Sequence, residues 1–318
     1  MNKEVALYVG EALGKYGFPN GHPFGPDRQD AFWKEAVKQG LDKRTTIRNP
    51  RTAAREEIER FHTDEHVDRV EHLSRLGHGS IDYGDTPAYP GVYEASAAVV
   101  GSALAGLARI MSGECYRTFQ PIGGLHHARR GTAAGFCVFN DCGVVIDTLR
   151  AQYGIKRVAY VDIDVHHGDG LYYPYEEDLD LIYADIHEDG NFLYPGTGHA
   201  YERGKGAAEG SKLNIPMQPG WGDQQFFRVW ERVIDHLRRF KPEFIVMQCG
   251  ADSLAGDPLA HLQYTPAAHA YAAKSLCELA NEMAGGRIMG LGGGGYDRGN
   301  LAAAWCAVLD EFIRGSER

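Results

Sequence analysis

Beyond about residue 90, the chain alternates short apolar runs with longer segments in which apolar residues recur at helical spacing. The short runs predict strands, because β-branched and aromatic side chains suit a buried, pleated surface. Near-continuous apolar strands separated by helices are typical of a parallel sheet covered on both faces. We therefore predict an α/β fold with a mostly parallel central sheet. The predicted strands are 157–163, 181–186, 212–215, 244–248 and 287–291.

Helices are predicted where the apolar spacing is close to 3.6 residues. Segment 94–111 is small and apolar and predicts a long buried helix, whereas 223–240 is amphipathic and has Asp223 as its predicted cap. Apart from one helix, residues 1–50 have an irregular pattern. With no internal repeat or linker, we predict a single domain over residues 1–318. The remaining predicted helices are 29–39, 266–283 and two short charged ones within 49–76.

The composition of the 318 residues, 43% hydrophobic and 24% charged, is globular and excludes wholesale disorder. A net charge of −10 argues against nucleic-acid binding through a general basic surface and does not repel a cationic substrate. Six cysteines without a CxxC pair indicate reduced, buried thiols. We recognise no signal peptide and no apolar stretch of the ~18 residues that span a membrane, so we expect a cytoplasmic enzyme or binding domain.

The segment 160–170 reads as a buried strand that runs into potential metal ligands. Side chains alternate along a strand, so Asp162, Asp164 and His166 are expected on one face. Two carboxylates and an imidazole in a buried position require a neutralising cation. The segment therefore predicts a metal site at the end of a strand.

Polar and glycine-rich segments follow four of the predicted strands. They lie at 164–168, 187–198, 250–258 and 292–296. In parallel sheets, ligands bind beyond the carboxyl ends of the strands. Four strand ends that deliver such residues to one edge predict an active site there.

Asp164, His166 and Asp252 form a plausible three-ligand metal site with positions left open for water and substrate. One nitrogen and two oxygens do not select the metal, because Zn²⁺, Fe²⁺ and Mn²⁺ all accept them. Taken alone, Asp252 also fits a helix cap after the preceding strand.

The adjacent residues His126 and His127 are candidates for general base and general acid catalysis. A carboxylate on the second ring nitrogen of each would fix its tautomer and basicity, and Asp162 and Asp169 are the natural partners. The sequence does not assign the acid role to one histidine.

Tyr296 follows four consecutive glycines, which let the backbone approach a ligand closely. A tyrosine hydroxyl presented in this way can donate to a developing oxyanion. No Lys-Ser/Thr follows the glycines, as a phosphate-binding P-loop would require. Phe136 and Tyr194 flank two of the loops and are candidates for the wall of an apolar channel, although isolated aromatics are as often simple core.

Together these residues resemble the arginase-like deacetylase family, which comprises histone deacetylases, bacterial acetoin-utilisation proteins and acetylpolyamine amidohydrolases. The resemblance covers about residues 21–305. It implies a three-layer arginase-like fold and favours a bacterial histone-deacetylase-like amidohydrolase. The matching segments are 22–28, 61–65, 84–87, 125–128, 135–141, 161–170, 194–198, 250–258 and 292–296.

The resemblance implies a zinc ion on Asp164, His166 and Asp252, with a structural potassium ion beside it. It also implies that His126 and His127 are the paired catalytic histidines and that Tyr296 polarises the acyl oxygen. The other residues it implies are Asp162 and Asp169 behind the histidines; Gly135, Phe136, Tyr194, Leu259 and Gly294 for substrate binding; Asp85 at the rim; Arg28 in an internal cavity; and Asp162, Asp164, His166, Asp185 and Ile186 around potassium.

Two positions depart from the family pattern. Tyr194 stands where many relatives have phenylalanine, which makes the tunnel wall more polar. Leu259 stands where a polyamine-specific relative carries glutamate, which argues against polyamine selectivity of that type.

The resulting hypothesis is metal-dependent hydrolysis of an N-acyl amide, foremost N-acetyl-lysine in a peptide or protein. His127 would act as base on a metal-activated water, and Tyr296 would stabilise the oxyanion. Alternatives are an amidohydrolase acting on acetylpolyamines or other small acylated amines, an arginase-like hydrolase with two manganese ions, and a non-catalytic acyl-lysine binder. Against the arginase-like enzyme, Ser253 stands where another bridging acid would be expected. The physiological substrate, resident metal and oligomeric state stay open.

Overall fold

A single eight-stranded sheet organises the computed structural model, which describes residues 4–317. Its order is β2-β1-β3-β8-β7-β4-β5-β6, and every neighbouring pair is parallel. The predicted parallel sheet is thus confirmed. The strands are β1 Val5–Tyr8, β2 Thr46–Arg48, β3 Arg117–Gln120, β4 Val158–Asp162, β5 Leu181–Glu188, β6 Lys212–Met217, β7 Phe244–Gln248 and β8 Ile288–Leu291.

Helices cover both faces of the sheet, as the three-layer prediction requires. Alternate residues of the strands face two separate apolar clusters, one packed under α5 and α6 and the other under α8, α9 and α10. The helices are α1 Glu11–Gly14, α2 Arg28–Lys38, α3 Arg55–Ile58, α4 Asp64–Leu76, α5 Val92–Ser112, α6 Asp141–Tyr153, α7 Asp169–Tyr172, α8 Asp223–Phe240, α9 Pro266–Met283 and α10 Arg298–Glu317.

Helix α5 has the length and composition of a membrane-spanning helix, with a mean hydropathy of 1.4 over its most apolar window. The expectation that no apolar stretch reaches that length is therefore wrong. However, 72% of this window is buried inside the protein. Its small residues let neighbouring backbone come close: a Cβ on Gly101 would lie 2.1 Å from the carbonyl oxygen of Arg51. Helix α5 is a core helix in this fold.

The sequence did not predict β1, β2 or β3, and the irregular pattern assigned to residues 1–50 hides two strands. Strand β3 is polar in sequence yet fully buried. Arg117 lies inside because its guanidinium donates to the carbonyl of Phe312, to Ser316 and to Asn281. A pattern of apolar residues cannot reveal a strand whose polar side chains find partners on distant helices.

Asp223 is the first residue of α8 and not its cap, which is Gly222. Its carboxylate instead accepts hydrogen bonds from the backbone amide and the hydroxyl of Thr265, at 2.8 and 2.6 Å. Thr265 is the N-cap of α9. Asp223, which was predicted to cap α8, therefore links the N-terminus of α8 to the N-terminus of α9.

Candidate active site

Four adjacent strands, β8, β7, β4 and β5, bring the predicted functional loops to one edge of the sheet. Their carboxyl ends lie side by side, with Asp162 of β4 in register with Gln248 of β7 and Asp185 of β5. Strand β4 ends at Asp162, so Asp164 and His166 lie in the segment after the strand. The prediction that they project from one face of the strand together with Asp162 is therefore wrong. The predicted gathering of strand ends is confirmed.

Asp164, His166 and Asp252 form a buried cluster whose ligand atoms all lie within 4.8 Å of one another. His166 Nδ1 lies 3.1 Å from Asp164 Oδ1 and 3.2 Å from Asp252 Oδ2. Burial lowers the pKa of His166, but the two carboxylates outweigh it and raise that pKa to about 10. Burial and the charge of Asp164 raise the pKa of Asp252 to about 7. Two buried carboxylates this close together repel each other when both are ionised, and a bound cation would stabilise their charged forms.

The donor set fits a divalent metal in its detail. Asp252 Oδ2 is buried, with His166 Nδ1 3.2 Å away and no well-aligned hydrogen-bond donor, whereas Asp252 Oδ1 accepts from the amide of Val165 at 3.1 Å. Glycines leave room for the ligand oxygens: a Cβ on Gly250 would lie 2.0 Å from Asp164 Oδ2, and one on Gly294 would lie 2.0 Å from Asp252 Oδ2. One imidazole with two carboxylates and open positions suits Zn²⁺, Fe²⁺ or Mn²⁺.

His126 is backed by the carboxylate of Asp162, with Nδ1 at 2.8 Å from Oδ2. The hydroxyl of Tyr160 donates to the same oxygen. Burial opposes protonation of His126, but Asp162 and Asp164 outweigh it and raise the pKa of His126 to about 10. Its other ring nitrogen lies 3.2 Å from Nε2 of His127.

His127 is backed by Asp169 through a hydrogen bond of 2.7 Å at Nδ1. Arg129 donates to the second oxygen of Asp169 at 2.8 Å, and the pKa of Asp169 falls to about 2 because its contacts with His127 and Arg129 outweigh its burial. Burial and the positive charge of His126 lower the pKa of His127 to about 4. The two histidines therefore carry opposite protonation preferences, a common arrangement in acid–base sites.

Tyr296 lines the same narrow cavity as His127, His166 and Asp164. Burial and the charges of Asp252 and Asp164 hold the pKa of Tyr296 well above its usual value, so its hydroxyl keeps its proton. The Tyr296 amide donates to Asp257 at 2.9 Å. Two of the four glycines before it have a positive φ, 108° at Gly293 and 125° at Gly295.

Phe136 is a cavity-side aromatic with an uncommon backbone, φ 68°, next to Gly135 at φ 52°. The hydroxyl of Tyr16 donates to the Phe136 carbonyl at 2.7 Å, and the Phe136 amide donates to the hydroxyl of Thr86 at 3.1 Å. The Phe136 ring centroid lies 5.9 Å from that of Tyr296. Two side chains from distant segments therefore hold this ring beside the catalytic tyrosine candidate.

Tyr194 and Leu259 lie on the outer part of the site, with 45% and 37% exposure. The Tyr194 ring packs edge-on against His127 at 5.1 Å between centroids. The Leu259 amide donates to Asp257 at 2.9 Å, the carboxylate that also binds the Tyr296 amide. Roles for both residues at the mouth of a substrate channel stay predictions.

Asp85 lies in an exposed turn whose backbone is organised by Asp82. Burial and the adjacent Asp82 carboxylate raise the pKa of Asp85 to about 6. The carbonyl of Asp85 lies 3.3 Å from Nε2 of His22, whose ring packs edge-on against Phe136 at 4.6 Å. The predicted rim residue therefore adjoins the aromatic wall.

Arg28 is 1% exposed and lies beneath the glycine loop, where it donates to the carbonyls of Gly295, at 3.0 Å, and Gly293. Its Nη1 is buried without a partner, and its guanidinium carbon lies 3.9 Å from the centroid of Phe24. Burial lowers the pKa of Arg28 to about 10. Arg28 therefore lies against the glycine loop, and an internal cavity around it stays a prediction.

The residues predicted around potassium lie together but are heavily bonded to protein groups. Asp185 accepts hydrogen bonds from the amide of Gly168 at 2.9 Å, from Tyr183 and from His187. Ile186 is a buried residue of β5. Potassium binding stays a prediction.

Two residues that the sequence did not single out hold the site together. Gln248 donates to Asp164 Oδ2 at 2.9 Å and accepts from the amide of Gly250 at 2.8 Å. Asp141 accepts from the amides of Gly124 and Leu125, at 2.9 and 2.8 Å, and so fixes the loop that carries the histidine pair. Both positions carry some signal in the sequence. Gln248 is the last residue of a predicted strand, and Asp141 is the last residue of the matching segment 135–141.

This parallel sheet, edged by an Asp-His-Asp cluster and two backed histidines, is the architecture of the histone deacetylase class. Residues 22–312 match the histone deacetylase domain, and the chain belongs to that family. The family supports deacetylase activity for this chain.

Individual relatives agree over most of the chain. The acetoin utilization protein AcuC of Bacillus subtilis is 34% identical over 307 residues, which cover 93% of this chain and 79% of that protein. Histone deacetylase RPD3 of Saccharomyces cerevisiae is 34% identical over 314 residues, covering 96% of this chain and 70% of that protein. The crystal structure of the HDA15 HD domain superposes with a TM-score of 0.90 at 29% identity, covering 98% of this chain and 88% of that one.

Proposed function

We propose that this protein hydrolyses N-acyl amides, with N-acetyl-lysine in a peptide or protein as its main substrate class. The observation that carries the proposal is the arrangement around one cavity: a three-ligand cluster, an imidazole with a lowered pKa and a tyrosine hydroxyl with a raised one. Each group supplies a different requirement of amide hydrolysis.

Asp164, His166 and Asp252 would hold the metal, and we propose zinc as the resident ion, with potassium as a second, structural ion. A bound divalent metal polarises the acyl carbonyl and lowers the pKa of a coordinated water. Gln248 and the amide of Gly294 donate to Asp164 Oδ2 and so orient this ligand. Such supporting hydrogen bonds tune ligand basicity.

His127 is the proton acceptor in this proposal, because its lowered pKa keeps the imidazole neutral near pH 7. Asp169 binds Nδ1, so the lone pair of His127 lies on Nε2; the attacking water must replace the contact of this atom with His126 Nε2, at 3.2 Å, before its proton is taken. Protonated His127 then donates to the leaving amine. His126 stays protonated on Asp162 and contributes positive charge beside the forming oxyanion.

Tyr296 donates its hydroxyl proton as a hydrogen bond to the oxyanion, a role that needs a protonated phenol. The channel between Phe136 and Tyr194 would accommodate the aliphatic part of an acyl-lysine. Asp85 at the rim would accept hydrogen bonds from the backbone amides of a peptide substrate. These placements favour a peptide over a free amine.

The decisive experiment is a turnover panel on acetyl-lysine peptides, longer acyl-lysine peptides and acetylpolyamines, with metal analysis of the same preparation. We expect the highest kcat/KM on acetyl-lysine peptides and one divalent ion per chain. Turnover only on acetylpolyamines would redirect the substrate assignment. Two manganese ions per chain with no amide turnover would instead support an arginase-like enzyme, and full metal loading with no turnover would support a non-catalytic binder.

A further inference from the structure

A second cavity lies far from the catalytic residues, at the edge of the sheet formed by β1 and β2. It has a volume of about 730 Å³ and is bordered by β2, by the C-terminal half of α5 and by the end of α6. It shares no residue with the cavity that contains Tyr296 and the histidine pair. We call it the arginine groove, after the four arginines that line it: Arg48, Arg51, Arg60 and Arg109.

Two of the four arginines are held in place by carboxylates. Arg51 donates from both Nη atoms to Glu57, at 2.8 and 3.0 Å, and from Nε to the carbonyl of Gly101 at 3.2 Å. Arg109 pairs with Glu114. These contacts fix the guanidinium groups of Arg51, in the loop after β2, and Arg109, in α5, and leave their charges largely neutralised.

The other two arginines have no acidic partner. Within residues 4–317, neither Arg48 nor Arg60 forms an ion pair, and both side chains are half-buried. Arg48 Nε is buried and has no hydrogen-bond partner, and Arg60 donates to the hydroxyl of Thr148 at 3.1 Å. A half-buried guanidinium with an unused donor is costly unless an anion occupies the groove.

The groove also has apolar surface. Leu104, Ala105 and Ala108 of α5 line it, together with Ile47, which is 39% exposed, and Tyr153, which is 37% exposed. Apolar area beside a few fixed polar groups is typical of sites for small organic molecules, and the volume lies within their usual range of ~300–1,000 Å³.

We propose that the arginine groove binds a small organic anion that carries phosphate groups on a flat, apolar body. A guanidinium group can donate two parallel hydrogen bonds to the oxygens of one phosphate. Aromatic or aliphatic surface would contact the apolar body of such a ligand. The chain carries a net charge of −10, so this concentration of positive charge is a local exception. The site is independent of the proposed deacetylase reaction.

ADP is a suitable probe, because it combines two phosphates with a flat base. Isothermal titration calorimetry at low salt should show saturable binding of ADP to the intact chain, one molecule per chain. The double variant Arg48→Gln/Arg60→Gln should bind at least tenfold more weakly, and Arg48→Lys/Arg60→Lys should recover part of the loss. Arg232→Gln, an exposed arginine of α8 beside the opposite edge of the sheet, is the matched control and should leave binding unchanged.

Thermal melts of all four proteins separate lost binding from lost folding. The absence of saturable ADP binding to the intact chain would overturn the proposal, as would equal binding by the Gln double variant. Pyrophosphate serves as a probe of charge alone. Pyrophosphate affinity equal to that of ADP would remove the apolar body from the ligand class, whereas weaker pyrophosphate binding supports it.

Discussion

Neighbouring charges, more than residue type, set what each side chain of the candidate site can do. His126 and His127 are adjacent and both fully enclosed, yet the pKa of one is raised to about 10 and that of the other is lowered to about 4. His126 faces Asp162 and Asp164, whereas His127 has one strong acid behind it and a charged imidazole in front. The division of labour that we propose for the two histidines rests on that asymmetry.

Replacing Tyr296 by Phe should lower kcat by roughly 10²–10³, the usual loss when one oxyanion donor is removed. The fold should be unaffected, because the Tyr296 amide and not its hydroxyl binds Asp257. Steady-state kinetics on an acetyl-lysine peptide would measure the effect. A kcat equal to that of the unmodified protein would exclude Tyr296 as the donor.

Asp85 should make peptide binding depend on pH. With its pKa raised to about 6, Asp85 is a carboxylate above that pH and a neutral acid below it. Only the carboxylate accepts two amide hydrogen bonds well, so KM for a peptide substrate should rise as the pH falls through 6.

Measuring KM between pH 5 and pH 8 for the intact protein and for Asp85→Asn tests this expectation. The variant should have a raised KM that varies less with pH, and a substrate without peptide amides should show little difference between the two proteins. Identical pH profiles for both proteins on the peptide would contradict the assignment.

At the scale of elements, one buried ammonium binds the backbone carbonyls that converge at the start of β6. The ammonium of Lys212, at the start of β6, donates to the carbonyls of Asp178 and Leu181, at 2.6 and 2.8 Å, and to the hydroxyl of Ser211 at 2.8 Å. Burial lowers the pKa of Lys212 to about 8. The Lys212 side chain thus links the turn before β5 to the start of β6.

Replacing Lys212 by Met would remove the hydrogen bonds of the ammonium to both carbonyls, although the Leu181 amide would still donate to that of Asp178 at 3.3 Å; hydrogen bonds from charged groups contribute about 1.5–3 kcal/mol each. Relief from burying a charge offsets part of that cost, so we expect the free energy of unfolding to fall by roughly 2 kcal/mol. Chemical denaturation would measure it. Lys43→Met, at an exposed lysine, is the control; equal stability of both variants would contradict the role of Lys212.

Strands and helices with a clear apolar period were predicted beyond residue 150, whereas the short apolar strand β1 and the polar strand β3 were missed. Strand β7 and helices α8 and α9 have the predicted bounds. Strand β3 was missed because Arg117 and Gln120 are buried through hydrogen bonds to other elements. Asp164 and His166 were predictable from local spacing and Asp252 from its position after another strand, whereas the role of Gln248 depends on three loops that meet only in the folded chain.

At the scale of the whole molecule, one sheet edge joins residues from Arg28 to Tyr296, so the metal site should couple to global stability. Metal that binds only the folded state stabilises it by about 4 kcal/mol at a thousandfold excess over Kd. Chelation should lower Tm, and added Zn²⁺ should restore it. Asp252→Asn should weaken this response, and a Tm unaffected by both chelator and zinc would contradict a metal site.

Metal binding should also release protons. Without metal, the pKa of Asp252 is raised to about 7 and that of His166 to about 10, so both groups hold protons near neutral pH that a cation must displace. Zinc affinity should therefore increase with pH. Calorimetric titrations in buffers with different ionisation enthalpies would count the protons released, and a count of zero at pH 6.5 would contradict the expectation.

The glycines at positions 250 and 294 bear on how sequence variation in this protein would be interpreted. Neither offers a functional group, yet a single methyl at either position would overlap a carboxylate oxygen of Asp164 or Asp252. A saturation-mutagenesis survey would therefore record both glycines as intolerant as the ligands themselves. In such a survey, depletion of variants marks positions that leave space for the reaction centre as well as positions whose atoms react. Only the metal content of the purified alanine variants would distinguish these two kinds of position.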